Sequence, residues 1–136
     1  MPRTTIDDLL DEARRGLSRI GPEAAFQAMR SGATLIDIRS ETQIARDGGV
    51  SGALVIRRNV LEWRLDPDSA HRHPQAPGLG DQVIVMCDEG YASSLAAATL
   101  QQLGFAHATD LAGGFQAWVG AGLPVAPAAE LRGGSS

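Results

Sequence analysis

One cysteine, no lysine and no long apolar run: these are the first things the 136-residue sequence withholds. A lone cysteine, Cys87, cannot close an internal disulfide, so a reducing, cytoplasmic setting is the expectation. No apolar run approaches the ~20 residues that a membrane-spanning helix needs, and the amino-terminal MPRTTIDDLLDEARRG is acidic and amphipathic, without the apolar core of a signal peptide. All 12 basic side chains are arginine, which reads as codon preference before function. Net charge is -4 and the pI about 5.2, against nucleic acid as the main partner. Apart from histidine, no basic residue lies between Arg72 and Arg132, while Asp81, Asp88, Glu89, Asp110 and Glu130 do. A cation near Cys87 must therefore come from elsewhere in the fold.

The length is that of one domain, and 43% hydrophobic residues with a mean hydropathy of -0.08 are those of a soluble globular protein. Residues 4–15 read as a helix capped by Thr4 or Thr5, with Ile6, Leu9, Leu10 and Ala13 as its apolar stripe; that stripe suits either its own domain or a partner. Pro22 opens a second helix over 22–30. The apolar runs ATLIDI (33–38), ALVI (53–56), QVIVM (82–86) and HATDL (107–111) read as strands, and residues 59–64, 93–103 and FQAWVGAG as helices. Strands alternating with helices imply an α/β fold, a parallel sheet with helices on both faces. LDPDSAHRHPQAPGLGD (65–81) reads as a surface loop, and 128–136 as a flexible tail. There are no internal repeats.

The chemistry concentrates in VIVMCDEGYASS (83–94). Ligands of parallel α/β sheets bind beyond the carboxyl ends of the strands, and Cys87 follows the most hydrophobic strand. A short loop from there into a helix aims backbone N–H groups and the helix dipole at its centre, an environment that favours a thiolate, a persulfide or an oxyanion. Gly90 supplies the backbone freedom for the curl, and Ser93 or Ser94 can cap the helix. The residues alone leave two readings of Cys87 open, a nucleophile or an inert apolar side chain after a buried strand.

Four segments in order resemble the single-domain rhodaneses: LIDIRS (35–40), GGVSGALVI (48–56), VIVMCDEG (83–90), and LGF (103–105) followed by LAGGFQAWVGAGLPV (111–125). The resemblance covers nearly all of 19–127, leaving 1–18 as an amino-terminal helical extension. It implies a rhodanese-like central sheet of about five parallel strands. It also implies that Cys87 carries sulfane sulfur as a persulfide, inside the loop Cys87, Asp88, Glu89, Gly90, Tyr91, Ala92. No cofactor follows from it. The implied partners are a small-molecule or protein persulfide donor and a thiol or cyanide acceptor, on a monomer or homodimer.

The departures matter. The family's usual loop has a basic residue after the cysteine and an arginine in the sixth place, where this chain has Asp88 and Ala92; Gly49 and Ser51 replace the usual histidine and proline. Two charge-assisted donors, each worth roughly 1.5–3 kcal/mol, are missing for a dianion such as thiosulfate. Poor use of thiosulfate is expected. Arg57 and Arg58, following the ALVI run, are candidate substrate contacts, as is Tyr91 at the loop crest. Asp37 and Arg39 are expected to support the loop structurally, and Trp118 and Phe115 to pack the core. His71 and His73 alone do not complete a metal site. The alternatives are a non-catalytic rhodanese-like binding or regulatory module, and a phosphatase or arsenate reductase, which would need an arginine that this loop lacks.

Overall fold

A computed structural model describes residues 2–133. Its centre is a parallel sheet in the order β4-β3-β1-β2-β5: Ala108–Asp110, Val83–Met86, Thr34–Asp37, Leu54–Val55 and Arg132–Gly133. The helices are α1 (Ile6–Arg15), α2 (Pro22–Arg30), α3 (Glu41–Asp47), α4 (Leu61–Leu65), α5 (Ala92–Gln102) and α6 (Gly114–Gly120).

Alternation along β3 explains why helices cover both faces. Val83, Val85 and then Cys87 point into one apolar layer with Ala96, Leu100 and Leu61, while Ile84 and Met86 point into the other with Ala25, Phe115 and Trp118. Phe115 and Trp118 are thus core residues, as expected. β2 is shorter than the ALVI run: the Ile56 amide still donates to Asp37 O (3.0 Å), and the chain then turns into a 3-10 turn at Arg58–Val60.

One part of the sequence reading needs correction, and one that it left open is resolved. The 128–136 segment, read as a flexible tail, holds a 3-10 turn at Ala128–Glu130 and then β5, which pairs with β2; residues 134–136 lie outside the described residues. The amino-terminal helix lies on its own domain. A Thr5–Asp8 capping box starts α1, which packs along α5 with Leu10, Ala13 and Arg14 half-buried. The linker then ties Ile20 to the end of β4: the Ile20 amide donates to Asp110 O (3.3 Å), and Ile20 O accepts from the Ala112 amide (2.8 Å). No helix among the described residues is long and apolar enough to cross a membrane.

Consecutive strands β1 and β2 run outward on one side, whereas β3 and β4 lie on the other. The order therefore reverses between β1 and β3, and the crevice beyond their carboxyl ends is where an open parallel sheet presents a ligand site.

Candidate active site

Cys87 leaves β3 at that switch point. Its Sγ accepts hydrogen bonds from the Gly90 amide (3.1 Å) and the Ser93 amide (3.4 Å) at the start of α5. The sulfur is thus held in a ring of N–H groups at a helix N-terminus, with the side chain only 8% exposed. Gly90 makes the curl with φ +90, and a Cβ there would meet the Gly113 amide at 2.7 Å. The Gly113-Gly114 pair has its reason in the same contact. A Cβ on Gly114 would stand 2.5 Å from Cys87 O, because α6 docks directly on the loop through Phe115 N–H to Cys87 O (2.9 Å) and Gln116 N–H to Asp88 O (3.0 Å).

The expected serine cap is absent. α5 opens at Ala92 with no side-chain cap; the buried Ser93 and Ser94 hydroxyls donate to Asp110 Oδ2 (2.7 and 2.8 Å). Asp110, fully buried at the end of β4, also accepts from Arg19 Nε (2.9 Å) and Nη2 (3.2 Å). Arg19 Nη2 and Arg14 Nη2 each donate to Gly90 O at 2.8 Å, and Arg14 Nε donates to Ser94 Oγ (3.0 Å). Two guanidinium groups from the amino-terminal segment therefore grip the loop from behind. They hold the Gly90–Tyr91 peptide, which lies between the Gly90 and Ser93 amides that donate to the sulfur. The loop's own side chains are acidic, yet its backbone is held by cations.

Sequence reasoning assigned no site role to Arg14, Arg19 or Asp110, and gave Ser94 a capping role that it does not have. The available signals were a carboxylate ending a buried strand in HATDL and an arginine beside the apolar stripe of α1. Neither says which distant carbonyl the arginines reach.

Asp37 and Arg39 form a buried ion pair: Arg39 Nη2 to Asp37 Oδ2 is 2.7 Å and Nε to Oδ1 3.0 Å. Arg39 Nη2 also donates to Gly48 O (2.8 Å), and the guanidinium lies 3.8 Å from the centroid of the Phe115 ring, a cation–π contact. Its third nitrogen, Nη1, is buried without a hydrogen-bond partner.

A cavity of about 250 Å³ opens beside the sulfur, with Cys87, Asp88, Glu89, Tyr91 and Ala92 on it together with Ile38, Arg39, Gln43 and Arg58. Of the predicted residues, Gly90, Ser93 and Asp37 stand behind this surface. Arg57 instead borders an adjoining cavity of about 390 Å³, which shares Ile38, Arg39 and Arg58. Both candidate arginines have carboxylate partners that were not foreseen, Arg57 with Glu41 and Arg58 with Glu62 (2.9 Å). A roomier cavity of about 600 Å³ lies at the other end of the strands, beside Thr34 and Leu54, far in the fold from the thiol chemistry. His73 is buried with Nδ1 accepting the Gln75 amide (2.9 Å), His71 is exposed, and no cluster of three or more metal-ligating side chains occurs among the described residues.

Comparisons with known proteins give the family of the fold. The family model described as the rhodanese-like domain matches residues 22–121. Over 100 residues the chain is 35% identical to the thiosulfate sulfurtransferase GlpE of Stutzerimonas stutzeri (strain A1501), covering 74% of this chain and 83% of that protein. Among solved structures it is similar to a protein of unknown function from Rhodopseudomonas palustris CGA009, described as a possible tyrosine phosphatase. That likeness has a TM-score of 0.83 and 32% identity over 93% of this chain and 99% of the other. The human single-domain sulfurtransferase TSTD1 matches with a TM-score of 0.66 and 27% identity, over 75% and 95% of the two chains. This chain belongs to the rhodanese-like family, as a rhodanese-type sulfurtransferase.

Proposed function

We propose that Cys87 carries sulfane sulfur as a persulfide between a donor and a thiol or cyanide acceptor, and that thiosulfate is a poor donor. The observation that carries this reading is the Cys87 sulfur held by the Gly90 and Ser93 amides in a loop whose side chains are acidic.

In the first step the Cys87 thiolate attacks the outer sulfur of a donor R–S–SH. The new Cys87 S–S bond forms as the donor's S–S bond breaks, and RS⁻ leaves to take up a proton from solvent. In the second step an acceptor thiolate attacks the outer sulfur of the Cys87 persulfide, taking that sulfur and returning the thiolate; cyanide leaves as thiocyanate by the same displacement. Both steps have anionic sulfur in the loop, and fixed amides with a helix N-terminus stabilise it without reorganisation.

Donor preference follows from charge. A thiosulfate dianion approaching this sulfur meets Asp88 and Glu89 on the cavity wall, and Ala92 offers it no cation. A persulfide donor brings less charge to the same place. Thiosulfate:cyanide turnover tests the argument. Wild type is expected to show a thiosulfate KM in the millimolar range or above, and Ala92→Arg to raise kcat/KM for thiosulfate roughly 10- to 100-fold, the value of one charge-assisted contact. A micromolar KM for the unaltered protein would overturn the preference. The phosphatase description of the Rhodopseudomonas protein gains no support from this loop, which has no arginine to clasp a phosphoryl group.

A further inference from the structure

We infer that the cavity beside Cys87 is a dipolar site that selects a low-molecular-weight persulfide with both a free α-ammonium and a free carboxylate, an amino-acid persulfide of the cysteine type. The inference rests on the sulfur-carrier reading above and adds the recognition chemistry.

The two signs of charge come from different parts of the fold. Asp88 and Glu89 belong to the loop after β3; Arg39 and Arg58 follow β1 and β2. Two of these groups have unused capacity. Glu89 is exposed and has no hydrogen-bond or ion-pair partner among the described residues, whereas Asp88 Oδ1 accepts from Gln116 Nε2 at 3.0 Å. Arg58 gives only Nη1 to Glu62, at 2.9 and 3.0 Å, so its Nε and Nη2 have no partner there. The Arg39 guanidinium is fully buried in its pair with Asp37 and offers nothing to a ligand in the cavity.

Each simpler ligand satisfies one side at the expense of the other. A dianion is drawn to Arg58 and repelled by Glu89; a cationic thiol has the reverse problem. A zwitterion places its ammonium toward Glu89 and Asp88 and its carboxylate toward Arg58, with its sulfur at Cys87. About 250 Å³ suits an amino-acid-sized carrier, below the range of drug-sized pockets. The adjoining space past Arg58 accommodates a longer one. The acids that make this loop unusual thereby acquire a role as the ammonium half of a two-point recognition site.

Three persulfides separate the charges: cysteine persulfide carries both, N-acetylcysteine persulfide lacks the ammonium, and cysteamine persulfide lacks the carboxylate. The readout is the rate at which Cys87 gains one sulfur, by quenched-flow intact mass, each rate divided by that probe's rate with a free thiol in solution. Wild type is expected to load from cysteine persulfide about tenfold faster than from either truncated probe, a modest factor because Arg58 and Glu89 are solvent-screened. Glu89→Gln should erase the advantage over N-acetylcysteine persulfide alone, and Arg58→Gln the advantage over cysteamine persulfide alone. Equal normalised rates for all three probes, or preferences unchanged in both variants, would overturn the dipolar site while leaving sulfur transfer intact. No loading from any probe would overturn the sulfur-carrier reading and this inference with it.

Discussion

Replacing Cys87 with serine is expected to abolish sulfur transfer, lowering turnover by at least about 10³-fold while leaving the fold in place. The hydroxyl occupies the sulfur's position and accepts the same Gly90 and Ser93 amides, so neither donor is orphaned. The side chain is 8% exposed and close in size to serine, which limits the packing loss. What disappears is the atom that forms the S–S bond. An oxygen nucleophile has no stable counterpart of the persulfide, so the variant should gain no sulfur from any donor while its melting transition stays near that of wild type. Turnover within tenfold of wild type in Cys87→Ser would remove Cys87 from the mechanism.

The second large effect lies away from the sulfur. Asp110→Ala deletes the acceptor shared by the Ser93 and Ser94 hydroxyls and Arg19. The buried Ser93 hydroxyl loses its acceptor, the Ser94 hydroxyl keeps only Arg14 Nε and a longer contact to Gly90 O (3.4 Å), and a guanidinium loses its counter-charge. Breaking a buried pair from one side costs about 3–5 kcal/mol. Arg19 is 23% exposed at its side chain and keeps some solvation, so the lower end, about 3 kcal/mol, is expected. For a chain of this size that is a fall in melting temperature on the order of 10 °C. The functional loss should exceed the loss of stability: Arg19 released from Asp110 no longer holds Gly90 O in place, and the amides facing the sulfur lose their alignment. Loading of Cys87 well below the melting transition is therefore expected to slow roughly tenfold or more. Asp110→Asn, which retains an acceptor, should recover most of the stability and only part of the rate. Wild-type loading in folded Asp110→Ala would show that the clamp behind the loop has no bearing on the chemistry.

What was legible in the sequence is what local pattern encodes. β3 announced itself as an uninterrupted apolar run because both its faces are covered, and the curl after it because Gly90 follows a cysteine that ends a strand. The short amide ring around the sulfur follows from that syntax. The supports of the ring do not, because they join residues 71 and 76 positions apart: Arg19 and Arg14 to Gly90. The serines after Tyr91 looked like helix caps, and a buried carboxylate on a different strand takes them instead. That choice is tertiary, made by desolvation of Asp110, and no local propensity records it. Arg57 and Arg58 were placed correctly at the sheet edge, but Glu41 and Glu62 partly occupy them, and only the side-chain geometry shows which nitrogens of Arg58 stay open. The terminal segment was read as loose from its composition, whereas pairing with the otherwise open edge of β2 orders it through Gly133.

The central claim is that a backbone cradle held from behind loads sulfur onto Cys87, and that its acidic face discriminates against a dianionic donor. Intact mass after separate incubation with thiosulfate and with glutathione persulfide, with Cys87→Ser as the control, tests both halves at once. The predicted result is a gain of one sulfur from the persulfide, little or none from thiosulfate, and none in the serine variant with either donor. Equal loading from both donors would contradict the charge argument, and loading from neither would contradict the assignment of Cys87 as the sulfur carrier.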